Sequence, residues 1–148
     1  MIINKRAKYD YEILETYEAG LVLSGFEVKA VRQGKMNLKG SYVTLKNEGN
    51  SISAYLLNAH ISPYQPANTP DDYNPTRLRR LLLKKKELNS LVGKTKQKGL
   101  TLIPICVYNK RKRIKLEFAI GKGKKKIDKR EAIKKRDIDR EIRGDFRL

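Results

Sequence analysis

The chain has one cysteine, Cys106, and one histidine, His60, in 148 residues, and no tryptophan. One cysteine closes no internal disulfide, and two soft donors fall short of the four ligands of a tetrahedral zinc site. No zinc site is therefore expected, and no cofactor or other metal site is assigned. Cys106 lies in an apolar run and reads as a small core residue. No apolar run approaches the length of a membrane span, and the N-terminus MIINKRAKYD turns charged too soon for a signal peptide. These absences point to a soluble protein of a reducing compartment, the cytoplasm, that does not span a membrane. Acidic residues are scarce as well: 16 Asp and Glu face 34 Lys and Arg, for a net charge of +18. Such a surplus costs self-repulsion in the folded state and is expected to meet a polyanion: nucleic acid, an anionic membrane or an acidic protein. Solubility alone would be better served by acidic residues.

Catalytic readings find little support. His60 has no nucleophile or orienting partner near it in sequence and reads as structural. Asp71-Asp72 is better explained by turn chemistry than by a bound cation. Gly121-Lys122-Gly123-Lys124 lacks the spacing of a phosphate-binding loop and reads as a hinge. No catalytic residue is assigned, and the chain is not expected to be an enzyme.

What is present organises around Glu18–Val43. Gly20–Leu23 is a compact apolar run that predicts a buried strand. Ser24 and Glu27 have the S-x-x-E spacing of a capping box, with Leu23 and Val28 placed to form a hydrophobic staple. Gly34 follows where a helix needs a left-handed residue. Together they predict a helix over Gly25–Gln33. Upstream, Tyr9, Tyr11, Ile13 and Tyr17 alternate with polar residues and predict a strand. Downstream, Tyr42–Lys46 and Ser51–Asn58 flank the turn sequence Asn47-Glu48-Gly49-Asn50 and predict a hairpin. Ser62–Pro75 holds four of the five prolines and reads as a surface loop.

Asn74-Pro75 is a good helix start. Leu78, Leu81, Leu82, Leu88 and Leu91 then predict a helix over Thr76–Leu91, with Arg77, Arg80 and Lys84 on its outer side. A second helix toward Gly99 is left open by Gly93. Leu100–Tyr108 reads as a strand whose Pro104 calls for an edge position or a bulge. The basic turn Asn109–Arg113 leads into the alternating strand Ile114–Ile120. Short strands with few helices suggest a mainly β fold, a small, partly open, OB-like antiparallel barrel over residues 1–122.

Residues 123–148 change character. Gly121–Leu148 holds 12 Lys or Arg and 6 Asp or Glu in 28 residues. Favourable i,i+4 pairs contribute about 0.2–0.5 kcal/mol each, against an ordering cost of roughly 1–2 kcal/mol per residue. This basic C-terminal tail is expected to be disordered alone and helical against a polyanion. Basic residues also cluster in the N-terminal arm (Lys5, Arg6, Lys8) and in Arg77–Lys86. Three such clusters favour phosphate neutralisation, hence nucleic acid. RNA is favoured over DNA, because no helix-turn-helix or zinc finger is visible and Tyr9 and Tyr11 can stack on splayed bases.

The run EAGLVLSGFEVKAVRQGKMNL (Glu18–Leu38) resembles the signature of the SsrA-binding protein (SmpB) family, the protein partner of transfer-messenger RNA. Further blocks match in order: Asn4-Lys5-Arg6-Ala7, Pro75-Thr76-Arg77, Leu81-Leu82-Leu83, Gly121–Lys125 and Asp128-Lys129-Arg130. The resemblance implies an RNA-binding adaptor in ribosome rescue, or trans-translation. The barrel would bind the tRNA-like domain of transfer-messenger RNA through Asn4, Tyr11, Glu18 and Leu82. Lys5, Arg6, Arg77, Arg80, Lys84, Lys122, Gly123 and Lys124 would add contacts. The tail, with Ile127, Asp128, Lys129 and Arg130, would enter the messenger channel near the small-subunit decoding centre of a stalled ribosome. Elongation factor Tu and alanyl-tRNA synthetase would be reached through the RNA. Two positions depart from the pattern: Ile127 stands where many relatives carry His, and Lys84 where many carry Asn. The competing class is a structural ribosomal protein, which would share the charge and the tail.

Overall fold

The computed structural model describes residues 1–97 and 99–124. The elements run β1 (Ile2–Ile3), α1 (Ala7–Asp10), β2 (Tyr11–Leu21), α2 (Gly25–Arg32), β3 (Met36–Asn37), β4 (Tyr42–Glu48), β5 (Ser51–Leu57) and β6 (His60–Ile61). A 3-10 turn over Pro66–Asn68 precedes β7 (Arg79–Leu82), α3 (Lys85–Lys94), β8 (Leu100–Lys110) and β9 (Arg113–Gly123). Every strand pair is antiparallel. The main sheet runs β1-β8-β4-β5-β7-β2-β9, and β9 returns to β8, so six strands curl into a ring. The seam between β4 and β8 rests on one residue pair, Val43 opposite Leu102. This is the small, partly open barrel expected from the short strands.

Alternation along the strands fills the ring. Ala19, Leu21, Leu56, Leu81, Leu116 and Phe118 point inward and are buried, joined by Leu91 of α3. Tyr17 stacks on Phe118 with ring centroids 5.6 Å apart. Pro104 behaves as a strand proline should: the register shifts between Pro104 and Cys106, and β8 exchanges β4 for β1 as its neighbour across that bulge. The Asn4 side chain and amide fill the bulge, donating to the carbonyls of Pro104 and Ile105, each at 2.8 Å. The basic turn is a two-residue hairpin loop in which Arg111 and Lys112 both take positive φ, the geometry that matches strand twist. Arg32 holds it, donating to the Lys112 carbonyl at 3.0 Å.

The α2 signals act as the sequence implies. Ser24 is the N-cap, its amide donating to Glu27 Oε1 at 3.0 Å. Gly34 takes φ +77° just past the helix.

Four expectations need correction. Tyr9 lies in the one-turn helix α1, not in a strand, and the Arg6 guanidinium sits 4.4 Å from its ring centroid. The two upstream strands are one, β2, continuous through Tyr17–Gly20; an irregularity between Ile13 and Glu15 shifts the register, so that Tyr11 and Ile13 face the opposite side of the sheet from Tyr17. Gly121–Gly123 is no hinge, since these residues pair with Tyr11–Ile13 as the end of β9. The largest difference is the expected helix over Thr76–Leu91. Asn74 does not cap a helix there; its side chain accepts from the Thr76 amide at 3.0 Å in a local turn. Residues 79–82 are strand β7, and a single helix, α3, follows and passes through Gly93. The alternation of β7 is disguised because one inward position is an arginine and one outward position is a leucine: Arg79 is 0 % exposed and Leu82 is 58 % exposed.

Candidate nucleic-acid interface on the outer sheet face

Arg79 can be buried because Glu27 is buried against it. Arg79 donates to Glu27 Oε2 from Nε at 3.0 Å and from Nη2 at 2.8 Å, and its remaining N–H groups meet the carbonyls of Ala59, Arg77 and Pro75. Arg77 also donates to both Glu27 oxygens. The Tyr73 hydroxyl lies 3.1 Å from Glu27 Oε2 and 2.9 Å from the Ile61 carbonyl. Burial alone would push the Glu27 carboxyl up, but Arg77, the Ser24 amide and Arg79 outweigh it and hold it at about 2. This cluster locks α2, the proline loop and β7 together. It also occupies Arg77, which the sequence assigns to RNA.

With the inside of the barrel filled, the outer face is what remains for a ligand. Along β2 it carries Tyr11, Ile13, Thr16, Glu18 and Gly20, given the side exchange at the irregularity. Arg80 and Leu82 of β7 and Lys115 and Glu117 of β9 continue it. Three sequence-predicted residues, Tyr11, Glu18 and Leu82, therefore share one surface. Leu82 lies over Gly20: a Cβ there would meet the Leu82 Cβ at 3.3 Å. Tyr11 covers Gly121 in the same way, with a Cβ contact of 3.1 Å. Glycine at both positions lets a large side chain lie flat on the sheet.

Glu18 is held without being consumed. The Tyr108 hydroxyl donates to its Oε2, and Lys110 Nζ lies 3.3 and 3.4 Å from its two oxygens. Tyr108 foremost, with Lys110 and Lys115, keeps its carboxyl below the usual range. Glu18 also pushes the Tyr108 phenol upward, after burial, which is the larger cause. An ionised carboxylate of this kind accepts from base amino groups and 2′-hydroxyls. Tyr108 and Lys110 were not singled out from the sequence; the alternation of β8, continued past Tyr108 to Lys110, is the signal that would have found them.

The arm and the end of β9 are also brought together. Lys124 donates from its amide to the Asp10 carbonyl at 2.9 Å and from Nζ to the Lys8 carbonyl at 3.0 Å. Tyr11 pairs with Gly123 and Glu12 with Lys122. Lys5, Arg6, Lys8, Lys122, Gly123 and Lys124 thus gather at the Asn4–Tyr11 end of the face. Arg6 is paired with Asp10 at 3.2 Å. Arg80 sits on the far side, opposite Tyr55 of β5. Lys84 caps α3, its amide donating to Glu87 at 3.2 Å. Ile127, Asp128, Lys129 and Arg130 lie outside the described residues. Among the described residues no group of three or more His, Cys, Asp or Glu side chains is placed to hold a metal ion, and no helix is long and apolar enough to cross a membrane.

A small basic barrel whose outer face combines cations, an ionised carboxylate and a flat exposed leucine has the makeup of a nucleic-acid-binding barrel. More specifically, the chain belongs to the SmpB family, whose model, described as SmpB protein, matches residues 1–147. It is 50% identical over 137 residues to the SsrA-binding protein of Trichodesmium erythraeum, covering 93% of this chain and 85% of that protein. It is 50% identical over 144 residues to the SsrA-binding protein of a Sulfurihydrogenibium species, covering 97% and 91%. A chain in a solved structure described as "tmRNA-SmpB: a journey to the center of the bacterial ribosome" matches with 43% identity and a TM-score of 0.66, over 89% of this chain and 93% of that one.

Proposed function

We propose that this protein is a non-enzymatic, cytoplasmic RNA adaptor. It binds the tRNA-like domain of transfer-messenger RNA and delivers it to ribosomes stalled without a stop codon. The observation that carries this reading is the gathering of Tyr11, Glu18 and Leu82 on one outer sheet face, flanked by the cations of the arm and of the β9 end. Family membership and the tmRNA-SmpB match support it. Glu18 reads base amino groups or 2′-hydroxyls, Tyr11 and Leu82 offer flat apolar surface, and Lys5, Lys122 and Lys124 neutralise phosphates. Asn4 acts through the fold, fixing the arm to the β8 bulge. Arg77 acts through Glu27 rather than on RNA. The segment from residue 125 onward, including Ile127, Asp128, Lys129 and Arg130, contacts the decoding centre and messenger channel. Elongation factor Tu and alanyl-tRNA synthetase join through the RNA.

The test is to recover and sequence the RNA that co-purifies with the protein. Transfer-messenger RNA should dominate, and binding to its tRNA-like domain should weaken steeply with salt. Stoichiometric co-sedimentation with every ribosome, and no enrichment of transfer-messenger RNA, would instead mark a structural ribosomal protein. Truncation after Lys124 should keep RNA binding and abolish rescue; loss of both together would refute the division between barrel and tail.

A further inference from the structure

Between the arm and Glu18 the outer face holds a cavity of about 510 Å³. Ile3, Ile13 and Ile105 give it apolar lining, and Ile3 is 58 % exposed. Lys5 and Lys8, both exposed, supply positive charge at the same cavity. Its acid is Glu117, which stands directly opposite Glu18 in the β2–β9 register. Like charges placed opposite each other destabilise a sheet, and a chain with 34 basic and 16 acidic residues is not forced into that pairing. Glu117 Oε2 lies 3.3 Å from the Cys106 thiol, and Oε1 has no hydrogen-bond partner among the described residues.

Cations, apolar walls and a carboxylate acceptor in one cavity match the three parts of a nucleotide. The phosphate suits Lys5 and Lys8, the base face suits the isoleucines, and an exocyclic amino group suits Glu117. An acidic peptide would meet the Glu18–Glu117 pair as repulsion. Resting on the RNA-binding reading above, we propose that this cavity takes one unstacked nucleobase of the bound RNA. Glu117 accepts from that base's amino group, so adenine, cytosine or guanine is selected over uracil, whose pairing edge carries no amino group.

The test uses the full chain and the tRNA-like domain of transfer-messenger RNA, with base-specific chemical probing of the bound RNA. Glu117→Gln should lower affinity roughly tenfold, the worth of one base contact, and leave the salt slope unchanged because no phosphate contact is lost. One amino-bearing nucleotide should regain reactivity at its pairing edge while the rest of the footprint stays. Ile13→Ala, which strips apolar wall without touching charge, should expose the same nucleotide. Thermal melting of both variants separates this from unfolding. If both variants fold, bind within twofold of the parent and keep its footprint, the cavity assignment is overturned while the RNA-binding reading stands. If RNA affinity holds but binding to ribosomes falls, the cavity is filled from the ribosome and the assignment to a nucleobase of the bound RNA is wrong. If the parent chain does not bind the RNA, the proposed function fails and takes this assignment with it.

Discussion

Two glutamates nine residues apart, Glu18 and Glu27, show what the fold does with a carboxylate. Glu27 is 0 % exposed, and its oxygens are taken by Arg77, Arg79 and Ser24. Glu18 lies on the outer face, with Tyr108 and Lys110 as side-chain partners from β8. The first is used up inside the protein and serves as a lock. The second is oriented but still open to a ligand. The same side chain is structural or functional according to how much of its acceptor capacity the protein itself occupies.

The strongest way to break this contrast is at the lock. Glu27→Ala leaves Arg79 buried without its counter-ion and should cost about 3–5 kcal/mol, read from the denaturation midpoint at unchanged m-value. Near-parental stability would remove Glu27 from its structural role.

The pH dependence is nearly as large. The Glu27 carboxyl is lowered to about 2 from 4.5, so its contribution is fully present above about pH 4.5 and disappears as pH falls through about 2. The shift corresponds to about 3 kcal/mol. Stability measured across pH 5 to 2 should fall more steeply in the parent than in Glu27→Gln, and equal slopes would contradict the assignment.

On the outer face, Glu18→Gln should lower affinity for the tRNA-like RNA roughly tenfold while shifting stability by less than about 0.5 kcal/mol. Loss of stability without loss of binding would exchange the roles of the two glutamates. The smallest effect is expected at the rim. Arg80→Ala should reduce the slope of log affinity against log salt by about one without altering base protection.

The helix signals were legible because Ser24, Glu27 and Gly34 act locally: cap, box and left-handed stop lie within one short segment. The β8–β9 hairpin and the Pro104 bulge were legible for the same reason. β7 was not, because its inward Arg79 is tolerated only through Glu27, 52 residues away in sequence, and no local pattern carries that pairing. β1, β3 and β6 are two residues each, too short for a periodicity. At the interface, Tyr11, Glu18 and Leu82 came from the family resemblance. The structure adds that they share a face, together with Tyr108, Lys110 and Glu117, which only the cross-strand register brings beside Glu18.

The outer face as the RNA-binding surface is tested most directly by carboxyl labelling of the glutamates on β2 and β9, with and without the tRNA-like RNA. Glu15 is the internal control: three residues from Glu18 on the same strand, comparably exposed, but paired with Lys94 of α3 at 2.8 Å. RNA should shield Glu18 and Glu117 and leave Glu15 labelled as in the free protein. Shielding of Glu15 with Glu18 and Glu117 still open would place the RNA on the wrong side of the barrel for this account.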